Sequence, residues 1–175
     1  DGEGFFSEKN INPSNYYAFS KYSGELKASQ ISSIILRTNF FGKSKNFKRS
    51  SLTDWLYSEL TQKNDINVFE DVWFNPLSIH NLCMMIELAV EQKVEGIFNL
   101  GSNDGMNKAD FAFHFAKTLN LPTSTMKRVK VSNVKFLNAY RPKNMIMNLS
   151  KFENRFNVKL PKLSEEIKFV AKEYL

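Results

Sequence analysis

The chain has 175 residues, 42% hydrophobic and 24% charged, with 24 Lys+Arg against 18 Asp+Glu and a formal net charge of +6. These proportions suit a soluble globular domain and exclude a disordered tail, a collagen-like fibre and a disulfide scaffold. No apolar run approaches the roughly 20 residues of a membrane helix, and the single cysteine, Cys83, suits a reducing compartment such as the cytoplasm.

Residues 1–13 are polar, carry Gly and Pro, and read as a loop. Asp1-Gly2-Glu3-Gly4 is neither basic nor apolar, so it is no signal peptide, and the missing initiator Met suggests a start inside a longer protein. From about Ser14 to Gln30 the spacing of Tyr17, Tyr22 and Leu26 predicts a helix. Residues 33–38 form a short apolar, β-branched run and read as a buried strand, and 42–50 read as a basic loop. Leu52, Trp55, Leu56 and Leu60 predict a helix near 50–63, and Asp65 to Phe69 a brief strand. Ile79, Leu82, Met85, Ile86 and Ala89 predict an amphipathic helix near 78–92, with Cys83 read as a buried thiol on its apolar face. Gly96 to Gly101 reads as a strand closed by glycine. Asn107 can cap a helix running to about Leu119. Residues 124–149 look irregular or partly extended. Ser150 and Glu153 have the spacing of a capping box, and a last helix is expected over roughly 163–174. Helices alternate with short buried strands, so the class is α/β with some parallel pairing.

The basic runs at 43–49 and 126–130 are either solvated loops or a surface for an anionic ligand such as a sugar nucleotide or a nucleic acid. Of the aromatic residues 16 are Phe, mixed among aliphatics, which reads as core and not as a base-stacking platform. Nucleic acid is therefore not an expected partner, and neither is a membrane. His80 and His114 lie far apart without Cys or carboxylate at ligand spacing, so no metal site is expected. Trp55 and Trp73 read as packing residues.

The segment with chemical content is Asn15-Tyr16-Tyr17-Ala18-Phe19-Ser20-Lys21-Tyr22-Ser23-Gly24-Glu25. Tyr17 and Lys21 are four apart on the first helix, which stacks them on one face. An ammonium beside a phenol favours the phenolate. A phenol so placed can give a proton to a carbonyl oxygen while hydride arrives at carbon. With 6 Tyr and 19 Lys in 175 residues, chance supplies such a pair about as often as not. A plain surface arrangement, with Lys21 bonded to Glu25, therefore stays open.

The order of motifs around the pair resembles the extended short-chain dehydrogenase/reductases, and within them the dTDP-4-dehydrorhamnose reductase-like branch of sugar-nucleotide 4-ketoreductases. Tyr17-Ala18-Phe19-Ser20-Lys21 with Gly24-Glu25 matches the tyrosine–lysine helix of that family. Ile35-Leu36-Arg37-Thr38-Asn39-Phe40-Phe41-Gly42 matches the strand and turn after it. Asp1-Gly2, Glu8 to Pro13, Phe69 to Pro76, Gly96 to Gly101, Arg141 to Asn144 and Leu149-Ser150-Lys151 resemble further family segments in the same order.

The resemblance implies the C-terminal part of an NAD(P)-binding Rossmann fold plus a small α/β substrate-binding domain. The chain is then one unit, with substrate-binding segments at about 43–80 and 102–175. The family's glycine-rich phosphate loop has no counterpart here: Gly101-Ser-Asn-Asp-Gly105 has two glycines and comes too late. Its carbonyl-binding Ser or Thr would lie before Asp1. The expectation is that the N-terminal dinucleotide-binding half is absent and that these residues alone have little or no reductase activity.

The implied function is NAD(P)-dependent reduction of the 4-keto group of a nucleoside-diphosphate deoxysugar, for cell-surface polysaccharide synthesis, with NADP or NAD as cofactor. Tyr17 would be the general acid, and Lys21 would hold the nicotinamide ribose. Thr38 and Asn39 would help bind the cofactor, and Asn39, Asn75 and Arg141 the substrate. Plain alternatives stand beside these: Asn39 capping a turn, Asn75 shaping one, Arg141 in a structural salt bridge, and Arg37, on the same strand end that would line the nicotinamide and sugar side, pairing with a carboxylate. A sugar-nucleotide epimerase or dehydratase, or a non-catalytic subunit of the same fold, remain rival functions. A cytoplasmic location and a homodimer are within what the resemblance implies.

Overall fold

The computed structural model describes residues 5–9, 11–46, 48–134 and 140–175. In chain order the elements are α1 (Tyr16–Ala28), β1 (Ile34–Thr38), β2 (Phe40–Phe41), α2 (Leu52–Thr61), β3 (Ile66–Phe69), β4 (Trp73–Phe74), β5 (Leu77–Ser78) and α3 (Ile79–Glu91). There follow β6 (Gly96–Leu100), β7 (Met106–Asn107), α4 (Lys108–Thr118), β8 (Met126–Val129), β9 (Asn144–Met145), α5 (Ser150–Phe156) and α6 (Leu163–Ala171). The first four helices start where a short polar side chain can accept from the first free N–H groups. Asn15, Ser51, Ser78 and Asn107 cap α1, α2, α3 and α4 in this way.

The strands pair mostly in parallel. β1 runs beside β6 with Ile34 opposite Gly96 and Thr38 opposite Leu100. β2 pairs with β5, and β3 with β8, also in parallel. β4 is the centre of a three-stranded sheet, antiparallel to β7 and parallel to β9. The chain is thus mixed α/β with parallel pairing, as its alternating pattern suggests.

Two hydrophobic clusters follow from this topology. One packs α2, α4 and α6 over β3 and β8 through Leu56, Leu60, Phe111, Phe115, Leu163 and Ile167. The other packs α3 and α5 on β6 through Leu82, Ala89, Phe98, Leu100, Phe152 and Phe156. Asn75, fully buried, ties the layers together. Its side-chain amide donates to the carbonyls of Ser102 (3.1 Å) and Met147 (3.0 Å) and accepts from the Met147 N–H (3.1 Å). Gly101 is needed beside it, because a Cβ there would meet the Asn75 carbonyl oxygen at 2.3 Å.

Two sequence expectations are corrected, the capping box at Ser150 and the burial of Cys83. Ser150 does not open a capping box: it is the first residue of α5, behind Leu149. Its N–H donates to Asn148 Oδ1, while Glu153 accepts from Asn103 Nδ2 and the Leu160 N–H, which uses the carboxylate to close the turn after α5. Residues 124–149, expected to be irregular or partly extended, include the short strands β8 and β9 among the described residues. Cys83 is exposed and not buried, since α3 turns Leu82 and Ala89 inward. The last helix, expected over roughly 163–174, runs to Ala171 and closes in a 3₁₀ turn, Lys172–Tyr174.

That turn is locked onto α2. The Tyr174 hydroxyl donates to Asp54 Oδ1 (2.6 Å) and Thr53 Oγ1 (3.0 Å). Asp54 Oδ2 accepts from the N–H groups of Ser51 (2.9 Å) and Ser44 (3.0 Å). Burial works to raise the Asp54 pKa, but these bonds outweigh it and hold the carboxyl below its ordinary value. A depressed carboxyl pKa contributes stability that is present above the unfolded value, about 4, and is lost as pH falls through the folded value. Asp54→Asn should therefore lower stability at pH 7 and flatten its loss on acidification below about pH 4, read from denaturant midpoints across pH.

Candidate active site

The first helix is unusual in that none of its residues is buried. Tyr22 is half-buried, while Tyr17 is 72% exposed and Leu26 49% exposed. Polar tethers place the helix instead. Asn15 Oδ1 accepts from the Ala18 N–H (2.8 Å) while Asn15 Nδ2 donates to the Tyr140 carbonyl (3.0 Å). Arg37, on β1, grips Glu25 of α1 with two guanidinium nitrogens, Nε to Oε2 at 2.9 Å and Nη2 to Oε1. Its Nη1 donates to the Glu8 carbonyl (2.8 Å). Glu25's hydrogen bond raises the Arg37 pKa against the opposing effect of burial.

Tyr17 and Lys21 lie on one face, as their spacing requires. The Lys21 ammonium stands 5.5 Å from the centroid of the Tyr17 ring, within cation–π range. Lys21 is not bonded to Glu25, whose carboxylate is taken by Arg37. Beside the helix lies a cleft of about 860 Å³, lined by Phe6, Ile11, Asn12, Ala18, Pro142 and Asn144, among others. A smaller hollow of about 240 Å³ sits between the 11–13 loop, the α1 face carrying Ala18, Lys21 and Tyr22, and Arg37.

The other residues singled out from sequence fall in different places. Thr38 and Asn39 end β1, both half-buried; Thr38 Oγ1 donates to the Asn39 carbonyl (3.3 Å), which also accepts from the Leu77 N–H (2.9 Å). The turn there is thus held by the Asn39 main chain. Asn75 lies beneath the surface, its amide spent on the three bonds described above. Arg141 is exposed, in the segment whose neighbours Tyr140 and Pro142 wall the cleft, and forms no salt bridge among the described residues.

Sequence reading passed over the loop residues that line the cleft, Lys9, Asn12, Ser14 and Tyr140, because loops carry no periodicity to mark them. It also missed Asn99, 2% exposed, whose N–H donates to Glu8 Oε1 (2.9 Å) and whose amide donates to the Phe6 carbonyl (2.8 Å). This fastens the 5–9 segment across the carboxyl end of β6. Among the described residues no group of three His, Cys, Asp or Glu could hold a metal ion, and no helix is long and apolar enough to cross a membrane.

The family model for the RmlD substrate binding domain matches residues 1–175. The chain belongs to that family. The fold of this RmlD-type chain matches the dTDP-4-dehydrorhamnose reductase of Bacillus anthracis, solved in complex with NADP, with a TM-score of 0.87 at 21% identity over 97% of this chain and 59% of that one. A dTDP-4-dehydrorhamnose reductase of Clostridium acetobutylicum matches with a TM-score of 0.88 at 18% identity, over 99% and 61%. The dTDP-glucose 4,6-dehydratase of Bacillus anthracis, in complex with NAD, matches with 0.80 at 16%, over 99% and 57%. The RmlD-type chain therefore spans about three fifths of these structures. No curated protein sequence matches it.

If polar tethers place α1, cutting one should loosen it. Glu25→Ala strands the Arg37 guanidinium; with side chains 21% and 11% exposed, the expected loss is about 2 kcal/mol. Lys21→Met, which breaks no ion pair, should stay within about 0.5 kcal/mol. Urea unfolding of both variants checks the contrast.

Proposed function

We propose that this chain forms the substrate-binding part of an NAD(P)-dependent oxidoreductase that reduces the 4-keto group of a nucleoside-diphosphate deoxysugar. The observation that carries the reading is the Tyr17–Lys21 pair on one face of α1, the helix whose Ala18 lines a cleft of about 860 Å³ and whose Lys21 lines the smaller hollow. Membership in the RmlD substrate binding domain family supports a sugar nucleotide as the ligand class.

The residues present fit the nicotinamide end of a dinucleotide. Lys21 lines the hollow beside Arg37, and its three N–H donors suit ribose hydroxyls. Thr38 and Asn39, at the carboxyl end of a parallel strand, lie where α/β folds place ligands. No glycine-rich phosphate loop lies within these residues, so the pyrophosphate end is assigned to none of them. When bound, the cofactor supplies the hydride.

The chain's own groups do the remaining work. The exposed Tyr17 hydroxyl gives its proton to the carbonyl oxygen of the keto-sugar. Lys21, close above the same ring, stabilises the phenolate left behind. Asn39 and Arg141 hold the substrate, Arg141 through two-pronged contact with a phosphate. Asn75 contributes from below, by fixing the strands and the 147 segment that carry the wall. The whole enzyme would act in the cytoplasm as a homodimer, in cell-surface polysaccharide synthesis.

In the full-length protein, Tyr17→Phe should lower kcat with a keto-sugar nucleotide by about 10²–10⁴-fold, the usual contribution of a placed general acid. Lys21→Met should raise KM for NAD(P)H as well as lower kcat. Net consumption of NAD(P)H by the wild type marks a reductase. Isomerised or dehydrated sugar with an unchanged cofactor pool would replace the reading with an epimerase or dehydratase. Unaltered turnover in Tyr17→Phe would remove the catalytic role.

A further inference from the structure

The basic run at 126–130 has no part in the site around α1. β8 buries Met126 and turns Lys127 and Arg128 outward. Lys127 pairs with Asp65 (2.8 Å), but Arg128 reaches across to α4, where its Nη2 donates to Asp110 Oδ1 (2.6 Å). Its guanidinium carbon stands 4.9 Å from the centroid of the Phe113 ring, within cation–π range. α4 has two faces. Phe111, Ala112, Phe115 and Ala116 are buried in the core. Asp110, Phe113, His114, Lys117 and Thr118 recur at helical spacing and share the other face. Together with Arg128 they line a hollow of about 380 Å³, a volume within the range of small-molecule sites. It shares no lining residue with the cleft or the smaller hollow beside α1.

This hollow is short of negative charge. Asp110 is the one carboxylate in its lining, and both oxygens are committed, Oδ1 to Arg128 and Oδ2 to Asn107 Nδ2 (2.7 Å). Lys117 forms no ion pair among the described residues. Arg128 spends one donor on Asp110 and makes no other hydrogen bond among the described residues. The Thr118 hydroxyl gives its proton to the His114 carbonyl (2.9 Å), whereas the half-buried His114 ring makes no hydrogen bond among the described residues. Burial first, then the charges of Lys168 on α6 and Lys117, hold the His114 pKa below its ordinary value.

We propose that this hollow is a second ligand site, taking a phosphate group between Arg128, Lys117 and His114. It uses none of the residues of the reductase reading and does not depend on it. Three donor groups from two elements suit the three oxygens of a phosphate, one more than a carboxylate offers. Arg128 supplies a planar fork, Lys117 a point charge and His114 a ring N–H. Like charges gathered without a counter-ion are costly, and a bound anion turns that cost into affinity. The half-buried Phe113 adds a flat apolar wall for the organic part of a phosphate monoester, while free phosphate would use the cations alone.

The test follows the ring-proton NMR signal of His114 in the full-length protein, identified by its loss in His114→Gln. The charged groups facing that ring are Asp110 and Lys117 on its own helix, Arg128 on β8 and Lys168 on α6. pH titrations are run with inorganic phosphate, with adenosine monophosphate, and with sodium chloride at matched ionic strength. An anion favours the protonated ring, so phosphate should raise the His114 midpoint by about one pH unit over chloride. Lys117→Met should raise the midpoint in chloride, because a like charge is gone, and weaken phosphate binding about tenfold. Lys117→Arg should keep phosphate affinity within about threefold of wild type, which separates charge from folding. Tighter binding of adenosine monophosphate than of phosphate upholds the site with a monoester seated on Phe113, and equal binding upholds it with free phosphate. A His114 midpoint that is the same in phosphate and chloride overturns the proposal. So does a phosphate-induced rise of equal size and affinity in wild type and Lys117→Met. Neither result bears on the reductase reading, which Tyr17→Phe tests separately.

Discussion

The candidate site depends on the ion pair between Arg37 and Glu25. Within these residues α1 buries no side chain fully, and polar contacts hold it to its neighbours. Here α1 is fixed by a guanidinium on β1, which grips one carboxylate of the helix and one carbonyl of the 5–9 segment. The Asn15 cap does the same at the other end, joining the helix start to the Tyr140 carbonyl. These bonds set where Tyr17 and Lys21 stand relative to the cleft. They also take Glu25 away from Lys21, which leaves the ammonium beside the Tyr17 ring.

The remainder of the chain is a platform of more ordinary construction. Parallel strands are packed by amphipathic helices, and buried amide and carboxylate groups tie the layers where they meet. Asn75 fastens two loops with one amide, and Glu166, 1% exposed, accepts from the Ser78 N–H and from Asn81 at the start of α3. Where the strands have only two residues, as β2, β4, β5, β7 and β9 do, such bonds do much of the work that long ladders do elsewhere. The cleft forms where these fastened loops approach α1.

Much of this was legible in the residues. The helices at 52–61, 79–91 and 108–118 were visible in their apolar spacing and caps, because long amphipathic elements carry a strong period. The strand at 96–100 was equally clear from its apolar run. Strands β8 and β9 were not, since Met126-Lys127-Arg128-Val129 buries its first residue and exposes the next two, too short a pattern to stand out. Cys83 misled because it stands among apolar neighbours, and hydrophobic company is not burial. The Tyr17–Lys21 spacing was legible as geometry. Its meaning needed the partner of Glu25, which lies 12 residues away and cannot be read from helical periodicity.

Catalysis by Tyr17 requires that its hydroxyl meet a substrate carbonyl. The most direct measurement is a crystal structure of the full-length protein with an oxidised nicotinamide cofactor and a nucleoside-diphosphate sugar bound. The account predicts the Tyr17 oxygen within about 3 Å of the sugar's C4 oxygen, the reach of proton transfer. A sugar seated in the cleft with its C4 oxygen held by other groups, and Tyr17 turned to solvent, would contradict it.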